Sequence, residues 1–209
     1  LKEVKELKEN TSAPWLSLEP WQKNSEAIAL SVRLEKFAGT ELRFQFKLSG
    51  NSSAVLIPSL AAEIAETAES EKTAGKTQRR DDLWKQTCLE LFIGSDSVSS
   101  YFEMNLSPSG SWNFYLFDSY RSGMRRAGRS EMVTPLESVK TESDSIIWSG
   151  SLAMLDLRAD LPAGLDLGTL VISATAVMQY QDGRIQYWAL RHAGQKPDFH
   201  LRESFIVKL

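Results

Sequence analysis

The chain alternates apolar and polar residues over many short stretches. From Ala27 to Leu34, Ile28, Leu30, Val32 and Leu34 alternate with Ala29, Ser31 and Arg33. From Glu41 to Leu48, Leu42, Phe44, Phe46 and Leu48 alternate with Glu41, Arg43, Gln45 and Lys47. A period of two predicts half-buried β-strands with the apolar set inward and the charged set in solvent. Phe37-Ala38-Gly39 is the turn between these two. The same period recurs at Ile146, Trp148, Leu152 and Met154, which makes Trp148 a core residue. It recurs again in Leu170–Tyr180, where Ile172, Ala174, Ala176 and Met178 oppose Val171, Ser173, Thr175 and Gln179.

The central stretch, Arg79 to Arg121, carries three apolar-aromatic runs separated by GSDSVSS and SPSGS. Runs of about 5–7 residues broken by Gly, Ser, Asp and Pro predict an antiparallel meander. Phe102, Met104 and Leu106 form one face of its middle strand; Tyr101, Glu103 and Asn105 form a polar one. Glu90 stands alone among Leu89, Leu91 and Ile93, and a carboxylate inside an apolar strand needs a partner or a wet face. This sheet therefore presents polar and aromatic groups to something. Gln181-Asp182-Gly183 predicts a hairpin turn, with Asp-Gly supplying the positive-φ positions. With the closing strand Ser204–Leu209 the count reaches about nine or ten strands, which predicts an all-β fold of two packed antiparallel sheets. Residues 1–209 are expected to form one domain. Between Pro58 and Gln78 the composition turns rich in Ala, Glu and Thr and loses its aromatics. A short helix or a mobile loop inserted into the sandwich is expected there.

Several motifs carry a resemblance. LWKQTCLELFI, then YFEMNLSPSGSWNFYLFDSYRSGM, then YWALRH with PDFH and a closing apolar strand, resemble the DOMON-like domains. These are relatives of the family-nine carbohydrate-binding modules and of sugar- or haem-binding DOMON domains. The resemblance covers Trp15 to Leu209. It implies a jelly-roll-like β-sandwich with a ligand site on one sheet, and it marks the Pro58–Gln78 stretch as an insertion.

Charge and chemistry narrow the function. A formal net charge of −3 argues against a general nucleic-acid or acidic-membrane binder. No apolar run approaches the roughly 20 residues needed to span a bilayer as a helix. The sequence opens on Leu1, so its start says little about export; the expected compartment is cytoplasmic. The single cysteine, Cys88, cannot form an intrachain disulfide and is expected to be buried and inert. No HExxH or GxSxG motif is present, so neither a catalytic residue nor a metal ligand set is assigned and a non-catalytic role is expected.

Aromatics beside polar groups are the stronger signal, because sugars stack CH faces on indole and need fork-like donors and acceptors. By the resemblance, Trp84 and Trp188 would sandwich a sugar or polyol, with Glu90, Asn105, Arg121 and Arg191 as polar contacts. Trp112 joins this candidate set or else packs the sheet end. His192, Asp198 and His200 complete it, as members of the matched motifs or their polar partners. The alternative is haem or another redox cofactor, with His192 or His200 and a methionine such as Met104, Met124 or Met178 as axial ligands. No cofactor is required by the first reading, and calcium is the metal the relatives would suggest. A third reading is a protein–protein module built on the insertion and on RSGMRRAGRS, which holds four arginines in ten residues. For its later arginines a solvated loop balanced by acidic neighbours is the favoured reading.

Overall fold

The computed structural model describes residues 5–6, 13–37, 39, 41–58, 79–128, 133–140, 145–154 and 161–209. The strands are β1 (Lys5–Glu6), β2 (Leu16–Pro20), β3 (Ile28–Phe37), β4 (Glu41–Gly50), β5 (Cys88–Ser95), β6 (Tyr101–Leu106) and β7 (Trp112–Phe117). After them come β8 (Arg125–Arg126), β9 (Val133–Lys140), β10 (Ile146–Ala153), β11 (Leu170–Gln179), β12 (Ile185–Ala189) and β13 (Val207–Lys208). The described helical segments are single 3₁₀ turns, among them Leu83–Lys85. The insertion expected over 58–78 lies, beyond Pro58, outside the described residues.

The strands form two layers. One runs β8-β7-β6-β5-β11-β12 and the other β3-β4-β10-β9, with β2 shared between them. Leu16–Leu18 of β2 pair with β3, while Glu19 and Pro20 pair with Ala189 and Trp188 of β12. All these ladders are antiparallel; only the short β1–β13 pairing is parallel among the described strands. Edge strand β9 carries an irregularity. Its register runs from Lys140↔Ile146 to Glu137↔Ser149 and resumes at Thr134↔Ser151, so Pro135 and Leu136 together oppose Gly150.

The inward sets of both layers meet in one core. Leu30, Val32, Phe44, Phe46 and Trp148 from one sheet join Leu89, Leu91, Phe102, Met104 and Phe114 from the other. The alternation that predicted this is intact: Leu42, Phe44 and Phe46 are buried, and their neighbours Arg43, Gln45 and Lys47 are not. This is the two-sheet all-β sandwich read from the sequence.

The first sheet differs from the second in having no bare outer face. Phe92, Tyr101, Tyr115, Phe117 and Val177 point away from the core, yet they are buried beneath Phe199 and Phe205. The chain after β12 folds back over this face and covers it. Strands β5, β6 and β7 are consequently buried along their whole length, polar residues included.

Two turns show where glycine is required. After Tyr180, only Gly183 takes a positive φ, +85°, with no atom within 4 Å of a built Cβ; Asp182 does not share the left-handed conformation expected of an Asp-Gly pair. The loop has three residues closed by Tyr180 N–H donating to Arg184 O at 2.8 Å, and such loops need one left-handed position rather than two. Gly50 has φ +89° and no room, since a Cβ there would lie 2.1 Å from the Ala27 carbonyl oxygen. Gly183→Asn should therefore be nearly neutral in thermal unfolding. Gly50→Asn should cost about 1–3 kcal/mol, and equal losses at the two positions would contradict this account.

Candidate functional site

The covering segment leaves a gap. On the outer face of the first sheet a cleft of about 500 Å³ opens between the strands and the loop after β12. Its floor holds Glu90, Phe92 and Glu103, and its walls include Trp84, Phe117, Arg121, Tyr187, Phe199 and His200.

The floor is built by alternation. Glu90 on β5 pairs with Asn105 on β6, and Glu103 pairs with Phe92, so the two glutamates lie diagonally across one ladder on the same face. They are 2% and 5% exposed. Glu90 Oε2 accepts from Thr175 Oγ1 at 2.9 Å, and Glu103 Oε1 accepts from Asn105 Nδ2 at 2.7 Å. Burial pushes both carboxyls up, Glu90 to about 8 and Glu103 to about 7; the neighbouring charge of Glu103 raises Glu90 further. Near neutral pH the pair retains protons.

Along one wall runs a chain of hydrogen bonds. Arg121 sits in the left-handed region at φ +51°. Its backbone N–H donates to Tyr101 Oη at 3.2 Å, and that hydroxyl meets His200 Nδ1 at 2.7 Å. The other ring nitrogen of His200, Nε2, lies 3.8 Å from Glu103 Oε2. Burial holds His200 down to about 4, so it is neutral. Asp198 fastens the loop: its carboxylate accepts from Tyr120 Oη at 2.5 Å, from the Arg121 guanidinium at 3.0 Å and from the His200 backbone N–H at 3.2 Å. Burial alone would raise Asp198, but these bonds win and hold it below the usual carboxylate range.

Trp84 owes its place to the turn before β5. Asp82 takes φ +64°, and Asp81 accepts from Asn113 Nδ2 and Tyr115 Oη, both at 2.7 Å. The half-buried indole then meets Tyr115 edge-on at 5.8 Å and faces the cleft.

Trp84, Glu90, Arg121 and His200 thus come together, with Asn105 and Asp198 directly behind them. Trp188 does not. It is a correction to the sequence reading: the indole points into the sandwich core, because Trp188 stands opposite Ala176 on the inward face. Its neighbour Tyr187 takes the place in the cleft. Trp112 also packs in the core, under the Arg79 guanidinium at 5.3 Å. Arg191 is half-buried outside the cleft lining. His192 is structural, its Nε2 lying 2.8 Å from the Glu19 carbonyl oxygen and its ring meeting Trp21 at 5.2 Å. Glu103, Phe117, Tyr187 and Phe199 were missed; for Glu103 the signal existed, since it shares the polar face of Tyr101 and Asn105.

No family model matches the chain, and no curated protein matches it. Its fold is similar to the solved structure of a Bacteroides uniformis protein provisionally assigned as carbohydrate-binding. The two are 12% identical with a TM-score of 0.63, over 98% of this chain and 96% of that one. At that identity the likeness speaks for the fold.

The donors proposed for haem do not fit it. Met104 and Met178 lie in the inner core, on the opposite side of the sheet from His200, and His192 is turned to Glu19. Met124 shares the cleft, but both His200 nitrogens face protein groups, Tyr101 and Glu103. Calcium fits poorly too. It takes six to eight oxygen ligands, whereas Thr175 and Asn105 turn hydrogens toward the carboxylates. Among the described residues no cluster of three or more His, Cys, Asp or Glu could hold a metal ion. The basic loop is largely balanced within the chain, Arg125 by Asp118 and Arg126 by Asp81; Arg129 lies outside the described residues.

Proposed function

We propose that this protein is a non-catalytic binding domain that takes a carbohydrate or similar polyol on the outer face of its first sheet, in the manner the DOMON-like resemblance implies. The observation that carries the reading is the pair of buried glutamates on the floor of an open cleft walled by Trp84, Tyr187 and Phe199. A concave site with aromatic walls and few fixed polar groups suits a small molecule whose faces are apolar and whose rim is hydroxylated. The likeness in fold to a protein provisionally assigned as carbohydrate-binding supports it.

The test is a glycan screen read by tryptophan fluorescence. Trp84 is the half-buried indole of the cleft, so a ligand should change its emission. In a saccharide that binds, Trp84→Ala and Tyr187→Ala should each weaken affinity about tenfold, equivalent to about 1.4 kcal/mol. Binding unaffected by either substitution, or no response across the panel, would remove the cleft from this role.

A further inference from the structure

The cleft floor carries acidity that no bonded cation answers. Glu90 Oε2 and Glu103 Oε1 are held by their same-face neighbours Thr175 and Asn105, which leaves Glu90 Oε1 and Glu103 Oε2. Glu90 Oε1 has no hydrogen-bond partner among the described residues, although the side chain is almost wholly buried and lines the cleft. Glu103 Oε2 meets only the neutral His200, at 3.8 Å. Among the described residues no cation forms a hydrogen bond with either glutamate. Arg121 bonds to Asp198 at 3.0 Å; its charge lowers both glutamates without a hydrogen bond to either, and burial outweighs it, while Lys196 belongs to the exposed rim. Tyr101 and Tyr115, which also feel the charge of Glu103, are both raised, chiefly by burial, and stay neutral.

A buried carboxyl pair with no cation bonded to it is costly to ionise, and a neutral polyol does nothing to relieve that cost. A primary ammonium does. It brings one positive charge and three donors, enough to reach the free oxygens of both glutamates, while rings around it favour a cation over their faces. Building on the carbohydrate reading above, we infer that the cleft selects ligands bearing a protonated amine, an amino sugar being the fitting class, with the ammonium seated between Glu90 Oε1 and Glu103 Oε2. The only bonds that break are the O–H bonds of the glutamates, whose protons pass to the buffer as the ammonium arrives.

The experiment is calorimetric titration of the full chain at pH 6.5, in two buffers of different ionisation enthalpy. The probes are glucosamine, glucose, N-acetylglucosamine, butylammonium and calcium chloride. Glucosamine is expected to bind at least about tenfold more tightly than glucose or N-acetylglucosamine, a margin of about 1.4 kcal/mol. Its heat should differ between the buffers because protons are released. In Glu90→Gln and Glu103→Gln, both checked for cooperative unfolding, that margin should vanish. Equal binding of glucose and glucosamine, unchanged in the variants, overturns the inference and leaves the carbohydrate reading standing. Butylammonium binding with proton release, and no sugar binding, supports the ammonium seat and overturns the carbohydrate reading. Calcium binding that both variants abolish, with no amine bound, overturns the inference, and silence from every probe overturns both.

Discussion

Trp188→Ala should lower stability by about 3–5 kcal/mol and leave ligand affinity per folded molecule unchanged. The indole is 2% exposed and packs in the inter-sheet core. It stands opposite Ala176 on β11 and Pro20 on β2, small or rigid neighbours that cannot close over the void. Among the described residues its Nε1 has no hydrogen-bond partner, so the loss is one of packing and not of a polar contact. Urea unfolding measures it, with a lower midpoint at constant m. A loss below about 1 kcal/mol would be that of a surface position and would return Trp188 to the binding face. Tyr187→Ala is the companion, one residue away and on the other face of the strand.

Stability should fall as pH rises from about 6.5 to about 8, the interval set by Glu90 and Glu103. Burial lifts their folded values to about 8 and about 7 from 4.5, so in this interval the folded chain holds protons that the unfolded chain has released. Unfolding then releases protons, and rising pH favours it. The contribution is fully present below 4.5 and is lost through 7 to 8. His200 acts in the opposite sense. Its folded value is held at about 4 against 6.5, and its contribution is lost as pH falls through that range. The two effects oppose each other below pH 6.5, which leaves the upper window to the glutamates. The limiting slope is about 1.4 kcal/mol per pH unit for each proton. Glu90→Gln should flatten the slope and raise the melting temperature at pH 8. An unchanged profile in that variant would place the titration elsewhere.

The strands were legible because sandwich strands alternate, and Phe44 and Phe46 could not be exposed without breaking the pattern. Glu90 was legible as an anomaly for the same reason. The choice between Trp188 and Tyr187 was not. Period two means that one residue decides the face, and the deciding fact is the register Ala176↔Trp188, set by the turn at 181–183. Glu103 was legible as a member of the polar face with Tyr101 and Asn105, but its burial was not. Its burial comes from the PDFH segment folding over the sheet, a long-range event with no local signature. The same cover explains why His200 and Asp198 belong near the cleft, whereas Arg191 and His192, on the preceding part of the loop, do not line it.

The kink in β9 bears on how copies of this chain meet. A sandwich ends in strands whose outer backbone groups are open, and such edges recruit strands from other molecules. Here the described path ends on one side at Arg125–Arg126, two residues of like charge, too short to template a ladder. On the other it ends at β9, where Pro135 offers no N–H and two residues stand against Gly150. An incoming strand would lose its register at that point. Both ends of the described path are therefore poor templates for fibre-like, edge-to-edge growth.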